Sequence, residues 1–387
     1  MSTFPGLIEE IPGISVDRFD GKNFDSFAYF LSHYHVDHMQ GLNYEFFAHL
    51  QQCNRYLYCS RISKIFLSSV YPEICIRELD LNERISVEYG DTSGTADILF
   101  VTCISAGHCP GSVMFLFERA DKSILYTGDF RINSSDFAKI APLHLHGGFK
   151  KPSPRKLTKV YLDTTFLDPD FATFPTRKDS ISVMCDVIAN WLATGPRNIV
   201  ILECSANYGP EFLFMELSRF FSKPIHVKRN VYNNYCRIPD LSCHITNDPS
   251  TPIHACMSKR EARWGLKCRP DVLKKHTLTV VPSTCKWKGK DTSVIGTWDD
   301  VRERTFNLCF SMHSSFEELK AFVQYFKPDE IFPCVCPKHL ERYIYDLLEE
   351  IKRKPEEEKK DVVQEDEKYT LQVLKHKDID KSWMKDY

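Results

Sequence analysis

Short apolar runs bounded by polar or turn-forming residues dominate the first 165 positions. Phe27-Ala-Tyr-Phe-Leu31 predicts a buried strand, and Ile98–Thr102, Ser112–Phe117, Ser123–Tyr126 and Lys159–Asp163 read the same way. The pattern then changes. Ile181, Met184, Ile188 and Trp191 recur at helical spacing and predict a helix over Asp179–Leu192. A strand at Asn198–Glu203 and a helix at Gly209–Phe221 follow. Strands alternating with helices put the chain in the α/β class. Residues 222–305 are richer in loops, proline and basic side chains. Phe306–Phe310 predicts a further strand, and Ser315 with Glu318 three positions on is a capping-box signature. Glu330–Val335 predicts a last strand and Leu340–Lys352 a last helix, after which charge runs such as Glu356–Lys360 predict a mobile tail.

Length adds a soft bound: 387 residues correspond to two or three domains with room for a core that needs no staples. Lys and Arg total 50 against 52 Asp and Glu, so the net charge of −2 gives no global affinity for polyanions. A nucleic-acid surface would have to gather its basic residues on one face. The 15 cysteines are odd in number and scattered, unlike a disulfide framework. Neither a signal peptide nor an apolar run of about 20 residues is visible. The expectation is an intracellular, reducing compartment and no membrane contact. There, cysteine and histidine are free to bind metal.

One stretch concentrates ligand chemistry. Ser32-His33-Tyr34-His35-Val36-Asp37-His38 follows an apolar strand and offers His33, His35, Asp37 and His38 within six positions. Imidazole nitrogen and carboxylate oxygen together suit zinc. Two later segments have the right shape to complete a site. His108 lies in Ala106-Gly-His-Cys-Pro-Gly111, a turn between strands, and Asp129 ends a strand in Tyr126-Thr-Gly-Asp-Phe130. Taken alone, the first fits a loop histidine and the second a strand-end cap.

The order of these segments carries more than any one of them. It resembles the metallo-β-lactamase superfamily, and within it the DNA-repair branch of the nucleases that carry a beta-CASP insertion. The resemblance rests on Val16–Asp20, Ser32–Met39, Ala106–Phe117, Leu125–Arg131, Tyr161–Phe166 and Phe310–Phe316, and covers about residues 10–350. It implies an αββα metallo-β-lactamase sandwich built from residues 1–166 and 306–352, interrupted by an α/β beta-CASP lobe at 167–305, with a charged tail at 353–387. The active site would lie between sandwich and lobe. Carried over by position, His33, His35, His108 and Asp129 form a tight zinc site. Asp37 and His38 form a second site with Asp129 bridging. Asp17 orients a ligand histidine, a role that metal chemistry also favours.

Asp163, in Leu-Asp-Thr-Thr, resembles the family's motif A, and His313, in Ser-Met-His-Ser-Ser, its motif B. Read without the resemblance, they fit a strand-end cap and a helix start. With it, the pair protonates a leaving oxygen or steadies the scissile phosphate. RNA-processing members carry a histidine in motif C, where Phe332–Pro337 offers Val335 instead. The second ion, whether Zn²⁺, Mn²⁺ or Mg²⁺, is then short of a ligand and held more weakly. This favours the DNA branch.

The central region holds His226, His254, Cys256 and Cys268. Two histidines and two cysteines suit a tetrahedral structural zinc, and buried free cysteine is an equal reading from spacing alone. Cys236, Cys243 and His244 lie close enough in sequence to compete. The resemblance implies a His₂Cys₂ zinc in this lobe. Cys334 and Cys336 read as strand residues with no metal role.

Basic residues form three groups: Lys150, Lys151, Arg155, Lys156 and Lys159; Lys259, Arg260, Arg263, Lys267 and Arg269; and Lys286, Lys288 and Lys290. Trp264 and Trp287 are interleaved. Singly, each basic residue is ordinary solvated surface. Together, phosphate contact and base stacking would hold single-stranded overhangs, with Lys156, Lys259, Arg260, Arg263 and Lys288 as the expected DNA contacts. Ser205 stands where related sequences can carry a lysine.

The resemblance therefore implies a nuclear, zinc-dependent DNA endonuclease that hydrolyses phosphodiester bonds at hairpins, overhangs and single-strand/double-strand junctions during double-strand-break end processing. It would leave a 5′-phosphate and a 3′-hydroxyl. A DNA-repair kinase or ligase complex is the partner it implies. The alternatives are a 5′-to-3′ DNA exonuclease of the same branch, an RNA endonuclease, a small-molecule hydrolase of lactamase or thioester type, and a scaffold without activity. The basic insertion argues against the small-molecule enzyme and the full ligand set against the scaffold.

Overall fold

The computed structural model describes residues 2–90, 96–145, 153–204, 208–257 and 266–353. Residues 1–353 form one compact unit. The expected tail, together with Lys150, Lys151, Ser205, Lys259, Arg260, Arg263 and Trp264, lies outside the described residues.

Four strands, β1 (Ile14–Val16), β2 (Ala28–Leu31), β3 (Leu57–Ser60) and β4 (Ile76–Leu79), pair in that order, each parallel to the next. Parallel neighbours need crossovers, and two helices supply the second and third of them. Helix α1 (Tyr44–Cys53) starts where the Asn43 side chain accepts the Phe46 N–H, and α2 (Arg61–Leu67) where Ser60 accepts from Ser63. Phe46, Phe47 and Leu50 of α1 cover one face of this sheet, against Tyr29, Leu31 and Leu57.

An antiparallel meander follows: β5 (Arg84–Gly90), β6 (Ala96–Ser105), β7 (Val113–Arg119) and β8 (Lys122–Tyr126). A two-residue hairpin, β9 (His144–Leu145) with β10 (Ser153–Pro154), leads to β11 (Lys159–Leu162), which lies parallel to β8. Strand β7 shows why its sequence is apolar at every position from Val113 to Phe117. Its alternate side chains feed two cores. Val113, Phe115 and Phe117 meet Ile14, Val16 and Phe30 of the first sheet. Met114 and Leu116 meet two helices from the far end of the unit, α7 (Phe316–Phe326) and α8 (Glu341–Lys352). The layers run helix, sheet, sheet, helix.

The middle of the unit forms a separate sheet from β12 (Ile199–Leu202), β13 (Ile225–His226), β14 (Ile245–Thr246), β15 (Ile253–His254), β16 (Thr277–Ser283), β17 (Gly296–Trp298) and β18 (Thr305–Cys309). Its order is β14-β13-β15-β12-β16-β18-β17, parallel throughout except for β17. Helices α3 (Arg177–Ala193), α4 (Glu211–Phe221), α5 (Arg229–Tyr235) and α6 (Pro239–Ser242) bury Met184, Ile188, Leu217 and Tyr235 against it. The segment expected to rejoin the first domain at residue 306 stays in this sheet: Phe306 pairs with Val280 of β16. The chain returns to the six-stranded sheet later, when β19 (Glu330–Pro333) pairs with β11. An apolar run identifies a strand but not its neighbour, which is why the sequence misplaces this one.

Candidate metal centre

The chain leaves β2 at Leu31 and turns through Ser32 into a short 3₁₀ turn, Val36–His38, carrying three histidines and an aspartate to one sheet end. His108 sits in the turn between β6 and β7. Gly107 has φ +65°, and a side chain there would meet the Arg131 carbonyl oxygen at 2.7 Å. The turn thus requires glycine. Asp129 follows β8, Asp163 follows β11, and His313 lies between β18 and α7.

These residues converge. His35 Nδ1 lies 2.9 Å from His33 Nε2 and 3.3 Å from His108 Nε2. Asp129 Oδ2 is 3.6 Å from His33 Nε2 and 3.7 Å from His108 Nε2. On its other side, Asp129 Oδ1 is 3.2 Å from His38 Nε2. The cluster faces a cavity of 570 Å³ lined also by Asp37, Tyr208, Thr284 and Val335.

The second nitrogen of three rings is fixed by the chain, and this decides which lone pair is left. Asp17 Oδ1 accepts the Ser32 N–H at 2.6 Å, while Oδ2 accepts the Ser32 hydroxyl at 2.5 Å and the Tyr126 phenol at 2.9 Å. With the Ser32 hydroxyl proton donated toward Asp17, Ser32 Oγ is free to accept, and His33 Nδ1–H donates to it at 2.9 Å. His38 Nδ1–H donates to Asp17 Oδ2 at 2.8 Å, and His108 Nδ1–H to the Met312 carbonyl at 3.0 Å. Each assignment aims Nε2 inward, as a lone pair in neutral His33 and His108. The role expected for Asp17 is thereby given partners: it orients His38 directly and His33 through Ser32.

Electrostatics agree with the geometry. Burial holds His33 and His108 well below the ordinary imidazole range, and neighbouring histidines push the same way. Burial takes His35 down to about 4. Three neutral imidazoles with facing lone pairs cannot satisfy one another with protons; a cation at their centre does. For His38, burial opposes the charge, but Asp129 and Asp17 outweigh it and hold the group high. His38 Nε2 is buried without a hydrogen-bond partner among the described residues. The donor set fits a metal at His33, His35, His108 and Asp129, with His38 and Asp129 as the start of a second position. Asp37 faces the same cavity, half-buried, but does not join either tight group.

His313 Nδ1 hydrogen-bonds Asp163 Oδ2 at 2.9 Å, and its Nε2 is 3.9 Å from Asp129 Oδ2. Burial disfavours its charge, yet Asp163 and Asp129 lift it to about 9. Asp163 is fixed from behind by the Thr165 N–H and hydroxyl, at 3.0 and 2.6 Å.

A second cluster lies in the middle sheet. His226 on β13 and His254 on β15 face each other in register, Nδ1 to Nδ1 at 3.0 Å. Cys268 Sγ is 3.6 and 3.5 Å from those nitrogens and 3.4 Å from Cys256 Sγ. The Cys256 thiol holds Cys268 low, with His226 and His254 adding to the effect against burial. A thiolate beside two imidazoles is soft-metal chemistry. Cys236 and Cys243 are exposed and outside this group.

The expected DNA contacts divide. Lys156 precedes β11, at the end opposite Asp163, and pairs with Asp329 at 3.1 Å. In the same group, Lys159 is held by Glu10 at 2.7 Å and Arg155 by Glu118 at 2.5 Å. Lys288 pairs with Asp168 at 2.9 Å and is half exposed. Trp287 is no stacking platform: it is 4% exposed, with its indole N–H on the Val294 carbonyl. A tryptophan flanked by lysines reads as surface, but here the lysines point out and the ring inward.

Sequence reasoning missed Ser32, Tyr126 and the Met312 carbonyl. Only the position of Ser32, directly before His33, offered a signal.

Comparison with known proteins adds the family. Residues 239–339 match the DNA repair metallo-beta-lactamase family. The chain is 37% identical over 366 residues to protein artemis of Danio rerio, covering 91% of this chain and 56% of that protein. It is 36% identical over 353 residues to protein artemis of Homo sapiens, covering 87% and 50%. With the DNA cross-link repair 1A protein of Mus musculus it shares 28% identity over 338 residues, covering 84% and 30%. The chain thus spans about half the length of the artemis proteins it matches. The chain is thus similar to the artemis proteins over most of its own length, and its residues 239–339 to the DNA repair metallo-beta-lactamase family.

Proposed function

We propose that this protein is a metal-dependent DNA nuclease, zinc-loaded at its tight site. In this reading it acts as an endonuclease on hairpins, overhangs and single-strand/double-strand junctions during double-strand-break end processing. The helix–sheet–sheet–helix layers are the αββα metallo-β-lactamase sandwich, and the seven-stranded unit is the beta-CASP lobe. The nucleus, and a DNA-repair kinase or ligase complex, are the setting that the likeness to artemis suggests. Among the described residues no helix is long and apolar enough to cross a membrane.

The observation that carries the reading is Asp129. One carboxylate reaches His33 and His108 with one oxygen and His38 with the other. That is how a bridging ligand serves two ions. When bound, such ions activate water and neutralise the phosphate in an in-line displacement. The chain's own groups do the rest. Asp17 and the Met312 carbonyl keep the ligand rings in one tautomer. His313, charged against Asp163, faces Asp129 and holds a proton for the leaving oxygen. A further ion, in the His₂Cys₂ group of His226, His254, Cys256 and Cys268, would be structural zinc.

The test is cleavage of end-labelled DNA on denaturing gels by metal-analysed protein, with Asp37→Asn as control. Substrates are a hairpin, a 3′ overhang and a 5′ overhang, each with and without 5′-phosphate. Internal cuts near junctions, independent of 5′-phosphate and lost in the variant, are expected. A ladder from the 5′ end that requires phosphate would move the protein to the exonuclease branch. No cleavage of DNA alongside cleavage of RNA would overturn the reading.

A further inference from the structure

Asp37 is held unlike the other acids of the centre. Asp17 accepts four hydrogen bonds, and Asp163 is gripped by Thr165 and His313. Asp37 receives one among the described residues: the Ser2 backbone N–H reaches its Oδ2 at 3.4 Å. Ser2 belongs to a short segment with firm anchors of its own. The Thr3 N–H donates to the Cys334 carbonyl at 2.9 Å. Its hydroxyl donates to the same carbonyl at 3.2 Å and accepts the Cys336 N–H at 2.7 Å. Phe4 is 4% exposed, its ring 5.2 Å from those of Tyr126 and Tyr161.

The anchors fall on either side of Val335, the residue that lines the cavity without offering a ligand. From the opposite side, Thr164 Oγ1 donates to the Val335 carbonyl at 2.7 Å and accepts its N–H at 3.0 Å. Two threonines thus clamp one ligand-free segment, and the outer one carries Ser2 to Asp37.

We propose that Ser2–Phe4 form a positioning strap that sets Asp37 for the weaker metal position, in the place where Val335 supplies nothing. The inference rests on the two-metal nuclease reading. Its physics is preorganisation: a half-buried carboxylate with one tether turns freely once that tether moves, and an outer hydrogen bond to a ligand commonly changes metal affinity by about 10- to 100-fold. The strap touches no reacting atom, and it acts through Asp37.

The experiment titrates Zn²⁺ against a chromophoric chelator with wild type, Thr3→Val, Thr3→Ser, Phe4→Leu, Asp37→Ala and the Thr3→Val/Asp37→Ala double variant. Circular dichroism checks the fold and gel cleavage runs in parallel. Thr3→Val keeps the shape and removes both hydroxyl bonds. Its tight site should match wild type, and its weaker site should bind about tenfold less tightly. Thr3→Ser should restore the affinity, and Phe4→Leu should lower it by a smaller factor without touching the hydroxyl. In the Asp37→Ala background, Thr3→Val should change nothing further. A folded Thr3→Val protein with the wild-type weaker site overturns the proposal, as does an effect that persists without Asp37. Should Thr3→Val not fold, an unchanged weaker site in Phe4→Leu decides against it equally. A wild type that binds no second catalytic ion and cuts no DNA defeats the nuclease reading itself, a result separable from failure of the strap.

Discussion

The cage around Asp129 and the cage around Cys268 are both four-residue groups with ligand atoms within 4.8 Å of one another, and they are built in different ways. The first draws its ligands from strand ends and turns of two sheets and contains a carboxylate. The rings of His33 and His108 are steered by further hydrogen bonds, to Ser32 and the Met312 carbonyl. The second takes two histidines from adjacent parallel strands and adds two thiols. It has no acid, and His254 Nε2 is buried without a partner among the described residues. The difference teaches a division of labour. Outer hydrogen bonds that fix tautomers suit a centre whose ligands must keep their aim while substrate and water exchange. Thiols across a strand pair suit an ion that stays and ties a lobe together.

The division breaks first at Asp129. On the proposed two-metal reading, Asp129→Ala removes the oxygen atoms shared by both positions, and cleavage should fall by a factor on the order of 10⁴ or more, because residues acting as one unit fail together. The melting temperature should stay within a few degrees of wild type. A comparable loss of stability would mean that this cage holds the fold as well. Cys268→Ser makes the reverse test. It should cost roughly 3 kcal/mol and lower the melting temperature by about 6–12 °C, while the protein loses one zinc equivalent and keeps those at the catalytic cage. Thermal melts with metal analysis check both. An unshifted melt for Cys268→Ser would reduce the second cluster to packed side chains.

How much of this could be read from the chain follows from the same contrast. His33, His35, Asp37 and His38 were legible as candidates because four ligand-type residues fall within six positions. His108 and Asp129 needed the order of segments, because a turn histidine and a strand-end aspartate carry no signal alone. The second cage was harder: its cysteines compete with others nearby, and only the pairing of β13 with β15 brings His226 to His254. The steering groups were invisible. A serine hydroxyl, a tyrosine phenol and a backbone carbonyl leave no pattern. The strand at Phe306 was visible but its neighbour was not, and Lys156 was visibly basic while its end of the strand was not.

A smaller effect sharpens the steering argument. Asp17→Asn leaves every ligand in place and upsets the acceptor that orients His38 and Ser32. The weaker metal should bind about 10- to 100-fold less tightly, and cleavage should recover as metal is added. Loss that added metal does not repair would assign Asp17 a direct part in the chemistry.

The smallest effect concerns the contact between the middle sheet's helices and the cage. Glu211 opens α4 and is buried; its Oε1 accepts the Gly209 N–H at 2.7 Å and the Tyr235 phenol, while Oε2 has no partner among the described residues. Gly209 has φ +120°, and a side chain there would approach His35 Nε2 at 3.3 Å. Glu211 therefore pins backbone that lies against a ligand ring. Burial raises its pKa above the ordinary 4.5, and the two hydrogen bonds only partly offset that. A raised folded value means that stability from this group is fully present below the unfolded value and is lost as pH rises through the folded one. Glu211→Gln keeps an acceptor for Gly209 and removes the titration. Wild type should gain on the variant at pH 5 and lose that advantage by pH 8, a difference on the order of 1 kcal/mol, in chemical denaturation at both values. A pH-independent gap would show that Glu211 stays ionised when folded, and that this edge of the cage is held by charge and not by a neutral acid.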